Sequence, residues 1–400
     1  MENIQQTPEN VVTVPVRGRM VSPDVLRVFA CFSVIAVHFL WNSGFYNQPI
    51  YGTNMIIMVV MRVIFSPCVP MFIILTGYLS VNKTLSKEHY AKGMKVVWLY
   101  LLASAAVIVY RIYIGRELPD LKTALLGMLS FTAAPYAWYV EMYIGLYLLI
   151  PFVNILYKNI PSQKWKLVLI IICFALNSLP SLVNAYNFTE PGWWLNPLSS
   201  NNYLHIMPQW WMFGYPLTYY LIGAYLREYG FKLGKITRWI IWGFTVLTAT
   251  IYCLWRSGKG VFRAEWIDWH TPFVMICSTL LASIILEAQY KRTPHFIIKI
   301  LTYLSGMTLQ IYLVSYIFDK EYYKILKAMI PDMPQRLWSF FIIVPAVFLS
   351  SIVLSSVIDL VYRLLGFLYG KIKARFKHAE VVEPAAAEIN NDNPNEIQGG

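Results

Sequence analysis

The residues best equipped for chemistry in this chain are ionisable groups embedded in apolar runs. The first run carries three of them, Asp24, Arg27 and His38, in Ser22-Pro-Asp-Val-Leu-Arg27 and Val37-His38. On a helix the eleven residues from Arg27 to His38 turn through about 1100°, some 20° past three full turns, so both side chains fall on one stripe about 16 Å apart. Asp24 lies three residues before Arg27, within pairing distance on a helix, and Pro23 suits a helix start. The stripe therefore runs from a charged pair to an imidazole, the side chain whose charge changes near neutral pH and which most often moves protons. The plainer role for His38 is structural, bonding a neighbouring helix, and spacing alone leaves both open.

The elements that must position these groups are set by composition. Of 400 residues, 57% are hydrophobic and 14% charged, where a soluble domain carries about 25% charged. The apolar residues come in continuous runs near the length that crosses a hydrocarbon core of about 30 Å. They do not alternate, which argues against a strand barrel. The sequence thus predicts an all-α polytopic membrane protein with about ten spans, near 24–45, 55–79, 94–114, 136–157, 167–186, 209–226, 238–255, 271–290, 296–317 and 337–364. Placing the N-terminus in the cytoplasm puts 22 basic residues on inner segments and 10 on outer ones, which favours both ends inside. The parts are then a cytoplasmic segment (1–22), a ten-helix membrane domain (23–366) and a disordered cytoplasmic tail (367–400). The first apolar run is long and follows a polar stretch, so it reads as an anchor that stays.

The formal charge of +12 raises nucleic-acid binding, but the basic residues sit at helix ends and do not cluster, so no nucleic acid is expected. The five cysteines all fall in apolar runs without CxxC spacing, so they read as small buried hydrophobes. No HExxH or HxxxH occurs and no metal is called for.

Ionisable residues within spans are costly and tend to face the bundle interior. Counting along the spans puts Arg62 about 10 Å and Glu141 about 7 Å below the outer edge, and Gln310 about 20 Å above the inner edge. These depths lie near that of His38, so the four could share one polar centre. For Arg62 and Glu141 a helix-linking salt bridge or snorkelling is the alternative. Asp359 and Arg363 read as a plain i,i+4 pair. Two outer loops stand out. Residues 187–211 hold Trp193, Trp194, Trp210 and Trp211 beside Asn196, Asn201, Asn202 and His205, with no Lys or Arg. Residues 256–270 hold Arg256, Arg263, Glu265, Trp266, Asp268, Trp269 and His270. Indole faces beside amides and carboxylates suit a sugar ring; the alternative is the usual aromatic belt.

At these residues the chain resembles the membrane-bound acyltransferase 3 family, in particular its bacterial sugar and surface-polysaccharide O-acetyltransferases. The family's Arg, ten residues, then His appears as Arg27 and His38. Val69-Pro-Met-Phe-Ile-Ile-Leu-Thr76-Gly77-Tyr78-Leu79 is similar to its second-span ending, with Thr76 for Ser. Trp138-Tyr139 followed by Gly145-Leu-Tyr147-Leu-Leu-Ile-Pro151 resembles its fourth span. Ser305-Gly-Met-Thr-Leu-Gln-Ile311-Tyr312-Leu313 is close to its "S-x-x-I-Y-L-x-H". Ser315 stands where a second His is common, and lysines replace the arginines after the second span.

The resemblance implies transfer of an acyl group, usually acetyl from cytosolic acetyl-CoA, to a sugar hydroxyl of a cell-surface or lipid-linked glycan, in a bacterial inner membrane. No tightly bound cofactor is implied; acyl-CoA is a substrate. The expected roles follow the chemistry. His38 is the base or a transient acyl carrier, Glu141 orients it or binds acceptor, and Arg62 donates to the oxyanion. Arg27, with Asp24, and Lys92 and Lys95 hold the phosphates of coenzyme A. Trp138, Tyr139, Trp193, Trp194, Gln310 and Tyr312 line the acceptor path, with Gln310 and Tyr312 as further oxyanion donors. The rival reading is a non-enzymatic translocator or exporter of a lipid-linked sugar or polysaccharide, which uses the same aromatic loops but needs no base at His38.

Overall fold

The structure is a computed structural model. It describes residues 20–184, 186, 192–195, 197, 206–258 and 260–389, with side chains through Lys371. In hydrocarbon every backbone polar group must find a partner within the chain, and helices do this segment by segment. The described residues form twelve α-helices and no strand; Pro49 and Val261 make an isolated bridge. In order they are α1 (Ser22–Ser43), α2 (Thr53–Phe65), α3 (Cys68–Ser80), α4 (Lys87–Val109), α5 (Leu121–Leu129) and α6 (Trp138–Lys158). Then come α7 (Gln163–Val183), α8 (Tyr215–Tyr229), α9 (Lys235–Ser257), α10 (Pro272–Leu286), α11 (His295–Met329) and α12 (Phe340–Ile389). Among the described residues nine helical stretches are long and apolar enough to cross a membrane. The fold class is thus all-helical and membrane-spanning.

Three elements differ from the sequence expectation. The span expected at 55–79 is one crossing in two pieces, α2 and α3, broken at Ser66-Pro67. Proline has no N–H for the carbonyl of Val63, and the Ser66 hydroxyl donates to that carbonyl instead, at 2.7 Å. The span expected at 209–226 starts six residues later as the 15-residue α8, directly behind a short 3-10 turn at Met212–Gly214. The ninth, expected to stop at 317, runs on to Met329 as a 35-residue helix, because no breaker occurs before Pro331. The first of these was invisible to hydropathy, which averages across a single proline. α12 extends into the predicted tail as far as Ile389; the rest of the tail and most of the N-terminal segment lie outside the described residues.

The chain divides into two compact units: Met1–Leu85, Leu149–Thr308 and Ile325–Phe341 form the first, and Ser86–Leu148, Leu309–Lys324 and Ile342–Gly400 the second. In the first unit α1 begins with proline in its first turn and ends at Gly44, whose φ of 95° few side chains tolerate. Arg336, buried, completes that end: its Nη1 donates to Ser43 O at 2.6 Å, and Nε and Nη2 donate to Ile330 O and Pro331 O. α3 and α8 cross at two glycines. A Cβ built on Gly77 would stand 2.0 Å from Tyr220 O, and one on Gly223 would stand 1.9 Å from Ile74 O. Small residues let helix backbones approach this closely in membranes. Asn154 fixes the end of α3: its amide donates to Ser80 O and Lys83 O, and its oxygen accepts from Tyr220 Oη.

In the second unit α4 starts on the Ser86 side chain, which accepts from His89 N. It is tied to α6 by the stacked rings of His89 and Tyr147, 4.3 Å apart, and by Tyr147 Oη donating to His89 O. α4 ends in a five-residue π turn, Tyr110–Ile114. Arg111 on that turn donates to Ala133 O at 2.6 Å and pairs with Glu117 at 2.8 Å.

Candidate active site

α1 is unbroken from Ser22 to Ser43, so Arg27 and His38 stand on one rigid helix with the spacing read from the sequence. The charged end of the stripe is built with a residue from α11. Ser305 Oγ donates to Asp24 Oδ1 at 2.7 Å and accepts from Arg27 Nη1 at 2.9 Å, while Thr302 donates to Asp24 Oδ2 at 3.2 Å. Asp24 is 4% exposed and Ser305 3%. The Ser305 hydroxyl thus gives carboxylate and guanidinium a common partner. Farther along, His38 is half-buried, and Asn42 Nδ2 donates to His38 O at 3.0 Å.

Arg62 is buried on α2. Its Nε donates to Tyr46 Oη at 2.7 Å, and its Nη1 has no hydrogen-bond partner among the described residues. Tyr46 sits in the short α1–α2 connection, with its ring against Phe45 and Phe262. A buried guanidinium with one nitrogen left over is a ready contact for a developing negative charge.

The tryptophan loop resolves into two kinds of residue. Trp193 is fully buried beside Arg256, whose guanidinium lies 5.6 Å from its ring and 5.7 Å from that of Trp266. Trp194 is half exposed and stacks on Tyr186 and Trp255 at 5.0 and 5.9 Å. Of the pair expected to line the acceptor path, Trp194 is half exposed and Trp193 is buried. Trp210 and Trp211 are exposed; Asn196, Asn201, Asn202 and His205 lie outside the described residues.

His38, Arg62, Glu141 and Gln310 are expected at similar depth. The first two belong to the first unit and the last two to the second. Glu141 is exposed, in the first turn of α6, where a carboxylate favours the helix dipole. Gln310 is fully buried on α11, and neither amide atom has a partner among the described residues. Tyr139 meets Trp138 and Tyr312 edge-on, at 6.1 and 6.3 Å. Tyr312 also donates to Tyr136 O. Lys92 and Lys95 are exposed on α4, with Lys95 Nζ 6.0 Å from the ring of Tyr362. Ser315, at the position of the missing His, turns its hydroxyl back to Tyr312 O. Asp359 and Arg363 form the expected i,i+4 pair at 2.8 Å.

The second unit adds carboxylates that the sequence reading missed. Tyr136 Oη donates to Asp319 Oδ2 at 2.7 Å and Tyr110 Oη to Glu321 Oε1 at 2.6 Å. Glu117 accepts from Tyr316 and Arg111 and pairs with Lys320 at 3.2 Å. Burial pushes the Glu117 carboxyl up, but bonds from Tyr316, Arg111 and Lys320 outweigh it and hold the group below its ordinary range. Asp319 and Glu321 lie beyond the expected end of the ninth span. Ser305 is visible in the sequence as the first residue of a family-like motif, without a role attached.

The acyltransferase 3 family, described as an acyltransferase domain, matches residues 20–360. No curated protein and no solved structure matches the chain. The match runs from the residues before α1 well into α12 and includes Arg27, His38, Arg62 and Ser305, so the chain belongs to the acyltransferase 3 family and is a multi-pass membrane acyltransferase.

Proposed function

We propose that this acyltransferase moves an acetyl group from cytosolic acetyl-CoA to a hydroxyl of a cell-surface or lipid-linked glycan in a bacterial inner membrane. The observation that carries the reading is that Asp24 and Arg27, tied together by Ser305 of α11, share α1 with His38. A guanidinium held by a buried carboxylate and a hydroxyl is preorganised for the phosphates of coenzyme A. About 16 Å of straight helix then separates the donor's charged end from the reacting centre, a span suited to a long, thin thioester donor. His38 takes the proton of the acceptor hydroxyl as its oxygen attacks the thioester carbonyl. The tetrahedral oxyanion forms and collapses, the C–S bond breaks, and the coenzyme A thiolate leaves, taking up the proton. Arg62, with a buried N–H to spare, supplies the donor that the oxyanion requires. Trp194 offers the aromatic face for the sugar.

Purified variants in liposomes test this with acetyl-CoA as donor, once glycan mass spectrometry with and without the gene has identified the acceptor. His38→Ala and His38→Gln should lower turnover by about 10²–10⁴ while thermal shift shows them folded. A folded His38→Ala protein with near-normal turnover overturns the assignment. A folded wild-type protein that moves a lipid-linked glycan without acylating it would replace the reading with translocation.

A further inference from the structure

The first unit has a second feature, away from the α1 residues, that acyl transfer does not use. α7, α8, α9 and α10 enclose an apolar groove of about 330 Å³. Its walls include Ile170 and Phe174 from α7, Ile222 from α8, and Met275 and Thr279 from α10, and its end is closed by Phe231 and Leu233 of the α8–α9 connection. Thr279 is the one polar side chain among the lining residues. The groove opens outward, since Ile171 and Ile276 on its rim are exposed.

Its mouth is built and basic. Glu287 accepts from Phe231 N at 2.7 Å and pairs with Arg238 at 2.7 Å, so one carboxylate holds the 230–234 turn in place and is itself neutralised by a buried arginine. Glu228 is likewise paired, with Lys166 at 2.8 Å. Lys232 and Lys235 flank Leu233 of the groove and are exposed, as are Lys164 and the indole of Trp165 at the start of α7. Ile170 and Phe174 follow Lys166 by four and eight residues, about 6 and 12 Å along α7. The groove thus has exposed lysines at its 231–233 end and an almost wholly apolar lining elsewhere.

We infer that this groove holds one acyl chain of an anionic phospholipid from the leaflet at the basic end, with the lipid phosphate on Lys232 and Lys235. Charge complementarity selects the occupant. A zwitterionic lipid gains less from the exposed lysines, because its own ammonium offsets the phosphate charge, whereas juxtamembrane basic residues attract anionic headgroups. A soluble apolar ligand would leave the rim unused. The inference rests on the membrane placement and not on the acyl-transfer reading.

The test reconstitutes the full chain in phosphatidylcholine vesicles doped with phosphatidylglycerol or phosphatidylcholine that carries a diazirine on one acyl chain. Crosslinks are mapped by peptide mass spectrometry. Phosphatidylglycerol should label groove-lining peptides of α7 and α10 about 25-fold more than phosphatidylcholine, and high salt should erase the difference. Lys232→Gln and Lys235→Gln, at exposed positions that leave the fold alone, should each cut phosphatidylglycerol labelling about fivefold and leave phosphatidylcholine labelling unchanged. Thr279→Trp, filling the groove, should abolish it there. Equal labelling by the two lipids, or labelling as strong at Phe244 and Leu247 on α9, outside the groove, overturns the proposal.

Discussion

Gly77→Ala is the sharpest perturbation of this fold. The new Cβ would meet Tyr220 O at 2.0 Å, Tyr220 C at 2.8 Å and Ala224 N at 3.1 Å. All three are backbone atoms of α8, so no side chain can swing aside. Ordinary contact begins near 3.4 Å, so α3 and α8 must separate by about 1.4 Å at the crossing, where a gap of even 0.5–1 Å forfeits a quarter to a half of each dispersion contact. Overpacking alone costs about 1–3 kcal/mol; with the weakened dispersion around the crossing added, Gly77→Ala should destabilise by about 3 kcal/mol or more. Gly223→Ala attacks the same crossing from the other side, 1.9 Å from Ile74 O, and should cost a similar amount. The two should not add. Once the helices have parted for one methyl, the second largely fits, so the double variant should fall short of the sum by about 1 kcal/mol or more. Reversible unfolding in mixed micelles, followed by tryptophan fluorescence, reads all three. Gly77→Ala within about 0.5 kcal/mol of the parent, the range of an ordinary surface change, or strictly additive losses, would refute the close crossing.

Ser305→Ala removes the hydroxyl shared by Asp24 and Arg27; it should raise the acetyl-CoA KM about ten- to hundredfold, as for lost hydrogen bonds to charged groups, with Ser305→Thr restoring much of it and kcat little changed. Trp193→Ala should lower the melting temperature, because the ring is fully buried beside Arg256, whereas Trp194→Ala should leave stability nearly unchanged and raise the acceptor KM in steady-state assays. Glu117→Gln should be destabilising at neutral pH. The depressed native carboxyl contributes stability that is present above its unfolded value, near 4.5, and is lost as pH falls through the lower native value. Thermal-shift midpoints of wild type and variant should therefore converge in acid.

The helical membrane architecture was legible because hydrocarbon imposes long apolar runs, and the stripe from Arg27 to His38 was legible because one helix carries both ends. What escaped the sequence depended on contacts between elements. Ser305 reads as a small residue in an apolar helix until α1 lies beside it. Asp319 and Glu321 read as loop charges because hydropathy falls near 317, although the hydrogen-bond ladder of α11 continues to Met329. Trp193 and Trp194 are adjacent and chemically identical, and only tertiary packing makes one core and the other surface.

The break at Ser66-Pro67 gives the second crossing two mechanical parts. α3 is anchored where Gly77 meets α8 and where Asn154 holds its end. α2 joins it through a turn in which the Ser66 hydroxyl replaces the N–H that proline lacks. A side-chain hydroxyl rotates where a helical N–H does not, so this joint bends more easily than an unbroken ladder would. Tilting α2 therefore re-aims the Arg62 guanidinium through a lever of about one helical turn, while the α3–α8 crossing stays fixed. Substitutions on the lipid-facing side of α2 can in this way shift a buried charge without loosening the scaffold, a division of labour between aiming and anchoring within a single pass of the chain.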